Sequence, residues 1–238
     1  MISVSIIIPC YNNESSIEKK IHLLLKKLKT IKLRFEILAI DDGSKDKTLV
    51  KLNKIKLNHK NIKIFSNEQN MGKSYSIRKV LKKTKYNYII LTDSDLPYFN
   101  VFSKIIENLE KNFDFVFVNR RHKKSSIRNK NLSYYQKLRY FAGYLVSLIV
   151  RSILKLNVDG GDTQSGLKGF KKIKNFGKYN FISNKFFLDL EIIFLYQRLK
   201  KKFFSLPVIY DIDENSSIKI LSIKNFQILN ELLKVIIK

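Results

Sequence analysis

The sequence predicts an α/β protein built on a doubly wound, mostly parallel β-sheet. Short apolar runs rich in β-branched residues alternate with longer segments of helical periodicity. Two of the runs end in pairs of acids, at the position where such sheets bind their ligands. A chain of 238 residues with 45% hydrophobic residues can build one domain with a substantial core. We expect that domain to cover residues 1–215, with residues 216–238 as its helical tail.

The first predicted unit is a strand over residues 4–8, closed by Pro9, and the helix that follows it. Ser15 and Glu18 have the spacing of a capping box, in which the two side chains bind backbone N–H groups at a helix start. Apolar residues then keep a helical spacing to about Lys29. This order of strand, polar loop and helix is the first half of a βαβ unit.

The second predicted strand, residues 35–40, ends in Asp41, Asp42 and Gly43, and a helix should start at about Lys47. Acids at this end of a strand meet the ribose or the base of a bound nucleotide in α/β sheets. The same residues also suit an Asx turn that leads into the helix. The sequence leaves both interpretations open.

The next three strands continue the alternation. The predicted strands are residues 62–66, 89–91 and 113–118, and the predicted helices between them are residues 75–83 and 99–109. A regular alternation of this kind is typical of a nucleotide-binding, Rossmann-like half.

Asp93 and Asp95 lie one residue apart at the end of the fourth predicted strand. Alternate residues of an extended chain point the same way, so both carboxylates can face one site. Two hard oxygen donors suit Mg²⁺ or Mn²⁺, and these ions suit a diphosphate. A lone Asp-x-Asp is more often an ordinary solvated turn, so this prediction needs support from other segments.

The second half begins with a basic loop over residues 119–130 and a predicted helix over residues 132–156. The helix is apolar nearly all round between Arg139 and Arg151, which favours burial. The alternative is a helix that lies on a membrane, because basic residues flank it.

A glycine-rich loop over residues 157–170 carries Asp159 and Asp162, a composition that indicates a site rather than a linker. The helix predicted at residues 186–199 has Asp189 and Glu191 near its positive N-terminal end.

The last predicted strand, residues 203–209, contains Pro207, which favours the edge of a sheet. The tail, residues 223–238, has the apolar spacing of an amphipathic helix with lysines beside it. It either packs on the domain or rests on a bilayer.

The charge balance is extreme, with 46 Lys and Arg against 20 Asp and Glu, a formal net charge of +26. Such a field attracts phosphorylated substrates, anionic lipid or nucleic acid, although scattered lysines also arise from compositional drift. The chain has no clustered basic stripe or nucleic-acid motif, so we expect no nucleic-acid partner. The single Cys10 fits a reducing compartment, and the longest apolar stretch, residues 140–150, is too short to span a bilayer. We therefore expect a soluble or peripheral membrane protein without a signal peptide.

These segments together resemble the family 2 glycosyltransferases of the GT-A fold, and in particular their dolichyl-phosphate glucosyltransferase-like, polyprenyl-phosphate branch. The likeness covers about residues 4–215. It is carried by residues 9–14, 41–44, 70–73, 93–95, Arg120, and the loop Asp-Thr-Gln-Ser-Gly-Leu-Lys-Gly-Phe at residues 162–170. The chain departs from the pattern at Asn13, where the first Glu is usual, at Ser165, where a Cys is common, and at Tyr210, where a Trp is usual.

The resemblance implies a donor site for a UDP-sugar and a divalent ion, Mg²⁺ or Mn²⁺, held by Asp93 and Asp95. The residues implied in donor binding are Pro9, Tyr11, Glu14, Asp41, Asp42, Lys73, Asp93 and Ser94. The residues implied in catalysis are Asp95, Arg120, Asp162 and Glu191.

The expected reaction is inverting transfer of a hexose, with glucose as the first choice, to undecaprenyl or dolichyl phosphate at the cytoplasmic face of the membrane. A phosphate monoester is already a nucleophile at neutral pH, whereas a hydroxyl acceptor needs a base, for which Asp162, Asp189 and Glu191 are the candidates. The residues implied in acceptor binding are Arg120, Arg128, Arg139, Thr163, Gln164, Ser165 and Lys168. A family 2 enzyme that extends a cell-surface glycan is the alternative, and a basic nucleic-acid-binding protein is a remote one. The sequence leaves the oligomeric state open.

Overall fold

In the structure, a computed structural model, a seven-stranded sheet lies between two layers of helices. The residues described are 2–129, 132–153, 155, 162–212, 231 and 234, without the side chains of residues 139, 146, 149 and 150. The strands of the main sheet are β1 (Ser3–Cys10), β2 (Arg34–Asp41), β3 (Ile62–Ser66), β4 (Tyr88–Thr92), β5 (Phe115–Asn119), β7 (Leu167–Lys171) and β8 (Phe203–Pro207). A small second sheet pairs β6 (Ser126–Ile127) with β9 (Ile209–Tyr210).

The helices are α1 (Ile17–Thr30), α2 (Thr48–Leu57), α3 (Lys73–Leu81), α4 (Phe102–Glu110), α5 (Tyr134–Ile153) and α6 (Leu188–Arg198). Single 3₁₀ turns occupy Phe99–Val101 and Phe176–Lys178. None of the helices in the described part of the chain is both long and apolar enough to cross a bilayer.

The sheet has the strand order β3-β2-β1-β4-β7-β5-β8. All neighbours are parallel except β7, which runs antiparallel to both β4 and β5. The parallel strands are apolar on both sides because helices cover both faces. One apolar cluster packs α1, α2 and α4 on one face, and a second packs α3 and α6 on the other. The predicted doubly wound, mostly parallel α/β sheet is thus confirmed, as is the edge position of β8.

The start of α1 differs from the prediction. The helix begins at Ile17 with Ser16 as its N-cap residue, and the Ser16 side chain makes no capping hydrogen bond. The N–H groups of Ser16 and Ile17 donate instead to the carbonyl of Asn13, at 3.1 and 2.9 Å. The predicted capping box of Ser15 and Glu18 is therefore wrong. With Ser16 at the N-cap, Glu18 is the second helical residue, whereas a capping box needs its acid at the third.

The predicted loop at residues 157–170 also differs. Leu167–Lys171 forms β7 in the middle of the main sheet, and the loop is described only from Asp162. Residues 156–161, with Asp159, lie outside the described residues. So does nearly all of the predicted tail helix, of which only Glu231 and Lys234 are described.

Helix α5 is the third difference. The sequence favours a buried helix, and that prediction is wrong. Many of its large side chains are exposed, with Tyr134 at 83% and Phe141 at 57%. The other exposed members are Tyr135, Leu138, Tyr140, Tyr144, Leu145 and Ile153.

Candidate functional site

The carboxyl ends of β1, β2 and β4 meet at one edge of the sheet, where Asp93 follows β4. The Asp93 carboxylate forms an ion pair with Lys73, the first residue of α3, at 2.5 Å. Burial alone would lower the pKa of Lys73, but Asp93, Asp189 and Asp95 outweigh it and raise that pKa. The sheet edge therefore holds an acidic cluster around one lysine.

Asp95 faces the same edge. Burial and the neighbouring charge of Asp93 raise the pKa of its carboxyl, because two carboxylates in one place disfavour each other's ionised form. A cation between them relieves that repulsion, and oxygen donors are those that Mg²⁺ and Mn²⁺ prefer. No group of three His, Cys, Asp or Glu side chains arranged for a metal occurs among the described residues. The two aspartates still fit such an ion, since Mg²⁺ commonly takes one or two carboxylates and completes its shell with water and substrate phosphate.

The loop before β7 crosses directly over this acidic pair. Gly166 accepts a hydrogen bond at its carbonyl from the Asp93 N–H, at 3.1 Å. A Cβ added to Gly166 would lie 2.6 Å from a carboxylate oxygen of Asp93 and 2.6 Å from Pro97. Only glycine allows this approach, which brings the loop at residues 162–166 close to Asp93.

A small cavity of about 10 Å³, room for about one water, lies where these segments meet. Among the residues that line it are Pro9, Lys73, Asp93, Ser165, Lys168 and Asp189. The Ser165 hydroxyl is buried and has no hydrogen-bond partner in the described part of the chain. A buried polar atom of this kind is costly unless a ligand or water satisfies it.

Lys168 and Asp189 form the floor of the site as a buried ion pair, at 2.7 Å with both side chains under 10% exposed. Burial lowers the pKa of Lys168, and the Asp189 charge opposes that shift. Lys168 also donates to the Thr163 carbonyl at 3.4 Å, so it holds the loop above it. Of the loop's polar residues, Thr163 is buried and Gln164 is exposed.

The two acids that end β2 have different surroundings. Asp42 is buried and accepts hydrogen bonds from Asn67, Met71, Gly72 and Ser76, at 2.8 to 3.0 Å. It therefore anchors the segment that leads into α3.

Asp41 is equally buried, but its carboxylate accepts only one of the hydrogen bonds described, from the N–H of Ser44 at 3.1 Å. Its other carboxylate oxygen is buried without a partner in the described structure. That oxygen is available to a ligand at the strand end.

The loop after β1 carries Tyr11, which is 42% exposed beside this edge. Asn13, which stands where a Glu is usual, accepts a hydrogen bond from the Ser94 hydroxyl at 2.8 Å and so joins this loop to the acidic pair. Glu14 accepts the N–H of Lys47 at 2.7 Å, just before α2. Glu14 thus has a structural contact that the sequence did not indicate.

Arg120 and Asp162 form a charge pair beside the site. The guanidinium binds both carboxylate oxygens, at 2.9 and 2.6 Å, and the Arg120 N–H adds a third bond at 2.8 Å. Burial would raise the pKa of Asp162, but the Arg120 charge and hydrogen bonds outweigh it and lower that pKa. Tyr98 lies within electrostatic reach of this pair and of Asp93, so it connects the two clusters.

Two other arginines, Arg128 and Arg139, are predicted to bind the acceptor. In the described part of the structure, neither is seen in contact with Asp162 or with the acidic pair. Arg128 pairs with Asp211 at 3.1 Å on the surface, where both side chains are more than half exposed. Arg139 lies in α5, and its side chain is among those not described.

Glu191 lies near the start of α6 and accepts the N–H groups of Ile182 and Ser183, at 3.0 and 2.8 Å. It is 7% exposed, so its carboxylate holds the preceding loop in place.

Sequence reasoning missed Glu231, which accepts backbone N–H groups of Asn184, Lys185 and Phe186 and the Ser183 hydroxyl. It also missed the roles of Tyr98, Asn67 and Arg121. Nothing in the spacing of these residues marks them, because each has at least one partner that is more than 20 positions away in the chain, such as Asp42 for Asn67 and Gly143 for Arg121.

Known proteins resemble this chain in sequence and in fold. Residues 5–154 match the model of Glycosyl transferase family 2. An uncharacterized glycosyltransferase of Synechocystis is 32% identical over 50% of this chain and 38% of its own length. A dolichyl-phosphate beta-glucosyltransferase of Dictyostelium discoideum is 29% identical over 83% of this chain and 63% of its own length. The chain thus spans between about two fifths and just under two thirds of these two relatives.

Among solved structures, glucosyl-3-phosphoglycerate synthase from Mycobacterium tuberculosis, in complex with Mn²⁺, UDP-glucose and phosphoglyceric acid, superimposes with a TM-score of 0.65. The match covers 99% of this chain and 80% of that one at 14% identity, which shows a shared GT-A fold. Since the family model spans more than half of the sequence, the chain is a member of glycosyl transferase family 2.

Proposed function

We propose that this protein transfers a hexose, with glucose as the expected sugar, from a UDP-sugar to a polyprenyl phosphate with inversion at the anomeric carbon. The observation that carries the choice of acceptor is that each of the three candidate bases already pairs with another group of the protein. Asp162 is bound by Arg120, Asp189 by Lys168, and Glu191 by two backbone N–H groups. A hydroxyl acceptor needs a base, and these three carboxylates are already engaged.

A phosphate acceptor removes that requirement. One of its oxygens forms the new bond to the anomeric carbon while the bond from that carbon to the nucleoside diphosphate breaks, and the electron pair leaves with the diphosphate. The second ionisation of a phosphate monoester has a pKa of about 6, so no proton has to be removed at neutral pH.

The donor half is supported by the strand ends. The unpaired oxygen of Asp41 and the exposed ring of Tyr11 suit the nucleoside, and Lys73 suits a diphosphate oxygen. Asp93 and Asp95 would hold Mg²⁺ or Mn²⁺, which supplies charge stabilisation for the departing diphosphate. A solved neighbour with this fold contains Mn²⁺ and UDP-glucose, which supports the same class of donor.

The acceptor half is supported by a relative and by α5. The Dictyostelium relative is named for transfer to dolichyl phosphate. The exposed aromatic face of α5, beside a loop rich in Arg and Lys, is of the kind that contacts the interface of an anionic bilayer. We propose that the protein works as a peripheral protein at the cytoplasmic surface of a membrane, and the exposed face of α5 supports the membrane contact.

The test is transfer of radiolabel from UDP-glucose to undecaprenyl or dolichyl phosphate, with Mg²⁺ or Mn²⁺, by the wild type and by Asp95→Ala. We expect metal-dependent label in the lipid phase and a loss of at least about 100-fold in the variant, since it removes a carboxylate from the metal pair. Glu68→Ala, which changes an exposed acid of the same sheet edge, serves as the control. Transfer of glucose to a hydroxyl acceptor, with no lipid label, would rule out the phosphate acceptor.

A further inference from the structure

Two consecutive arginines follow β5, and of the two only Arg120 forms an ion pair with a carboxylate among the described residues. Arg120 takes both oxygens of Asp162. Arg121 donates to the Gly143 carbonyl of α5 at 2.9 Å, and its guanidinium lies 5.3 Å from the centre of the Tyr144 ring. Its Nη1 is buried and has no hydrogen-bond partner in the described part of the chain.

In the described part of the chain, Arg121 thus feels the charge of Asp162 but forms no ion pair of its own. Burial lowers the pKa of Arg121, the Asp162 charge opposes that shift, and Arg120 reinforces it. A buried N–H of a guanidinium without an acceptor is costly, and the planar fork of arginine matches a phosphate with two parallel hydrogen bonds. The backbone N–H of Arg121 donates to the Asn119 side-chain Oδ1 at 2.9 Å, and this bond and the contacts with α5 hold the guanidinium in place before a ligand binds.

We propose that Arg121 is the receptor for the phosphate of the acceptor, a residue that the sequence did not single out. This inference rests on the proposed function. Nη2 gives one of its two N–H groups to the Gly143 carbonyl, and Nη1 has no acceptor among the described residues, so a phosphate oxygen would satisfy Nη1 first and the second N–H of Nη2 beside it.

The position of Arg121 also fits a lipid acceptor. The side chain contacts α5, whose exposed aromatic residues extend away from it and suit an isoprenoid chain. The charges of Arg120 and Asp162 also act on Arg121. Both of these residues, like Asp93, influence the pKa of Tyr98, so Arg121 belongs to a group of charges that extends to the acidic pair. A phosphate at Arg121 would thus lie between the apolar face of α5 and the acidic pair at the sheet edge.

The test measures binding of farnesyl monophosphate, a short prenyl phosphate, to the full chain by calorimetry, with farnesol and inorganic phosphate as reference probes. We expect Arg121→Met to raise the Kd for farnesyl monophosphate about 10- to 100-fold, the size of a lost charge-assisted hydrogen-bond pair. Arg121→Lys should recover part of the affinity, because it restores the charge without the fork. The Kd for UDP with Mn²⁺ should stay within about twofold, since Arg121 is not part of the donor site.

Lys124→Met is the matched control, since it removes one charge from an exposed position of the same loop. An unchanged Kd in Arg121→Met, with thermal unfolding that shows a folded protein, would overturn the proposal. So would an equal loss in Lys124→Met, which would indicate general electrostatic attraction rather than a site.

A second experiment tests whether the phosphate that Arg121 binds belongs to the acceptor or to a lipid headgroup of the membrane. The wild type, Arg121→Met and Lys124→Met are each titrated with vesicles of phosphatidylcholine, with and without phosphatidylglycerol. If Arg121→Met weakens binding to the anionic vesicles but leaves farnesyl monophosphate unaffected, the site belongs to a headgroup and the proposal is wrong.

The two proposals fail in different ways. If the wild type transfers glucose to farnesyl monophosphate and Arg121→Met does so with the same KM, the inference fails and the proposed function stands. If the wild type binds farnesyl monophosphate through Arg121 but transfers no sugar to it, the phosphate site stands and the proposed function fails.

Discussion

The close approach of the loop before β7 to Asp93 depends on Gly166. An alanine there would place its methyl group against Asp93 and Pro97, at 2.6 Å from each. Since a contact that short forces atoms to move, Gly166→Ala should displace Asp93 and reduce glucosyl transfer by about 10- to 100-fold, because small misplacements of reacting groups have such effects.

The control for this change is Gly177→Ala. A Cβ at Gly177 would meet nothing within 4 Å, so the same chemical change should leave the transfer rate unaltered. Steady-state assays at saturating UDP-glucose compare the two variants. Wild-type rates in Gly166→Ala would show that the loop does not need to lie this close to Asp93.

Asp41 and Asp42 are adjacent acids with different expected roles. Asp42 accepts four hydrogen bonds and is 3% exposed, so Asp42→Asn should lower the free energy of unfolding by about 2–4 kcal/mol. Asp41→Asn should change stability little, because Asp41 accepts one of the bonds described, but should weaken UDP binding about tenfold. Chemical denaturation and calorimetry with UDP measure the two effects, and a reversal between the variants would contradict this assignment.

At the scale of elements, Glu36 joins three strands and the segment before a fourth. It lies in β2 and accepts hydrogen bonds from Ser5 of β1 at 2.6 Å, Lys63 of β3 at 2.9 Å and the N–H of Lys85 at 2.5 Å. Burial would raise the pKa of Glu36, but these hydrogen bonds and the Lys63 charge outweigh it and lower that pKa.

The direction of the shift gives a pH dependence. Because the pKa of Glu36 is lower in the folded state than in the unfolded chain, its contribution is present above the unfolded value near 4.5 and is lost as the pH falls through the folded value. Glu36→Gln should therefore unfold more easily at pH 7, by about 1–3 kcal/mol, and lose less stability on acidification. Urea denaturation from pH 7 to pH 3 checks this against Glu68→Gln, an exposed acid. Parallel pH curves for wild type and Glu36→Gln would contradict it.

The elements also show which parts of the fold the sequence predicts. Buried strands such as β1 and β4 are continuous apolar runs, so the rule for parallel sheets finds them. Strand β7 escapes that rule because Gly169 and Lys168 interrupt its apolar pattern. The burial of Lys168 is compensated by its ion pair with Asp189 of α6, and that contact across 21 positions is invisible in a local pattern.

In the candidate site, too, the features set by local sequence can be predicted and those set by tertiary contacts cannot. The sequence places Asp93, Asp95 and Asp41 correctly at strand ends, since strand ends can be read from local patterns. It cannot tell which acids are already paired, because pairing depends on the tertiary structure. The resemblance singles out Arg120 but does not show that Asp162 pairs with it, and it gives no sign of the contacts that Arg121 makes.

At the scale of the whole molecule, the net charge of +26 and the exposed face of α5 together favour an anionic bilayer. Basic residues near such a surface contribute about 1 kcal/mol each, and salt weakens that attraction within a Debye length. Exposed aromatic side chains add an apolar contribution that salt does not screen. The two contributions can therefore be separated by experiment.

We expect the protein to bind vesicles that contain phosphatidylglycerol and to lose most of that binding between 0.1 and 0.5 M salt, values chosen to shorten the Debye length from about 10 Å to below about 5 Å. Phe141→Ser, which removes a ring that is 57% exposed on α5, should weaken the binding about tenfold at low salt. Leu57→Ser is the matched control, because Leu57 is 86% exposed on α2 and should not contact the bilayer. Vesicle sedimentation measures all three proteins. Equal losses in both variants would mean that the attraction is general and that α5 does not face the lipid, whereas a loss confined to Phe141→Ser would orient the molecule with α5, and hence Arg121, toward the membrane.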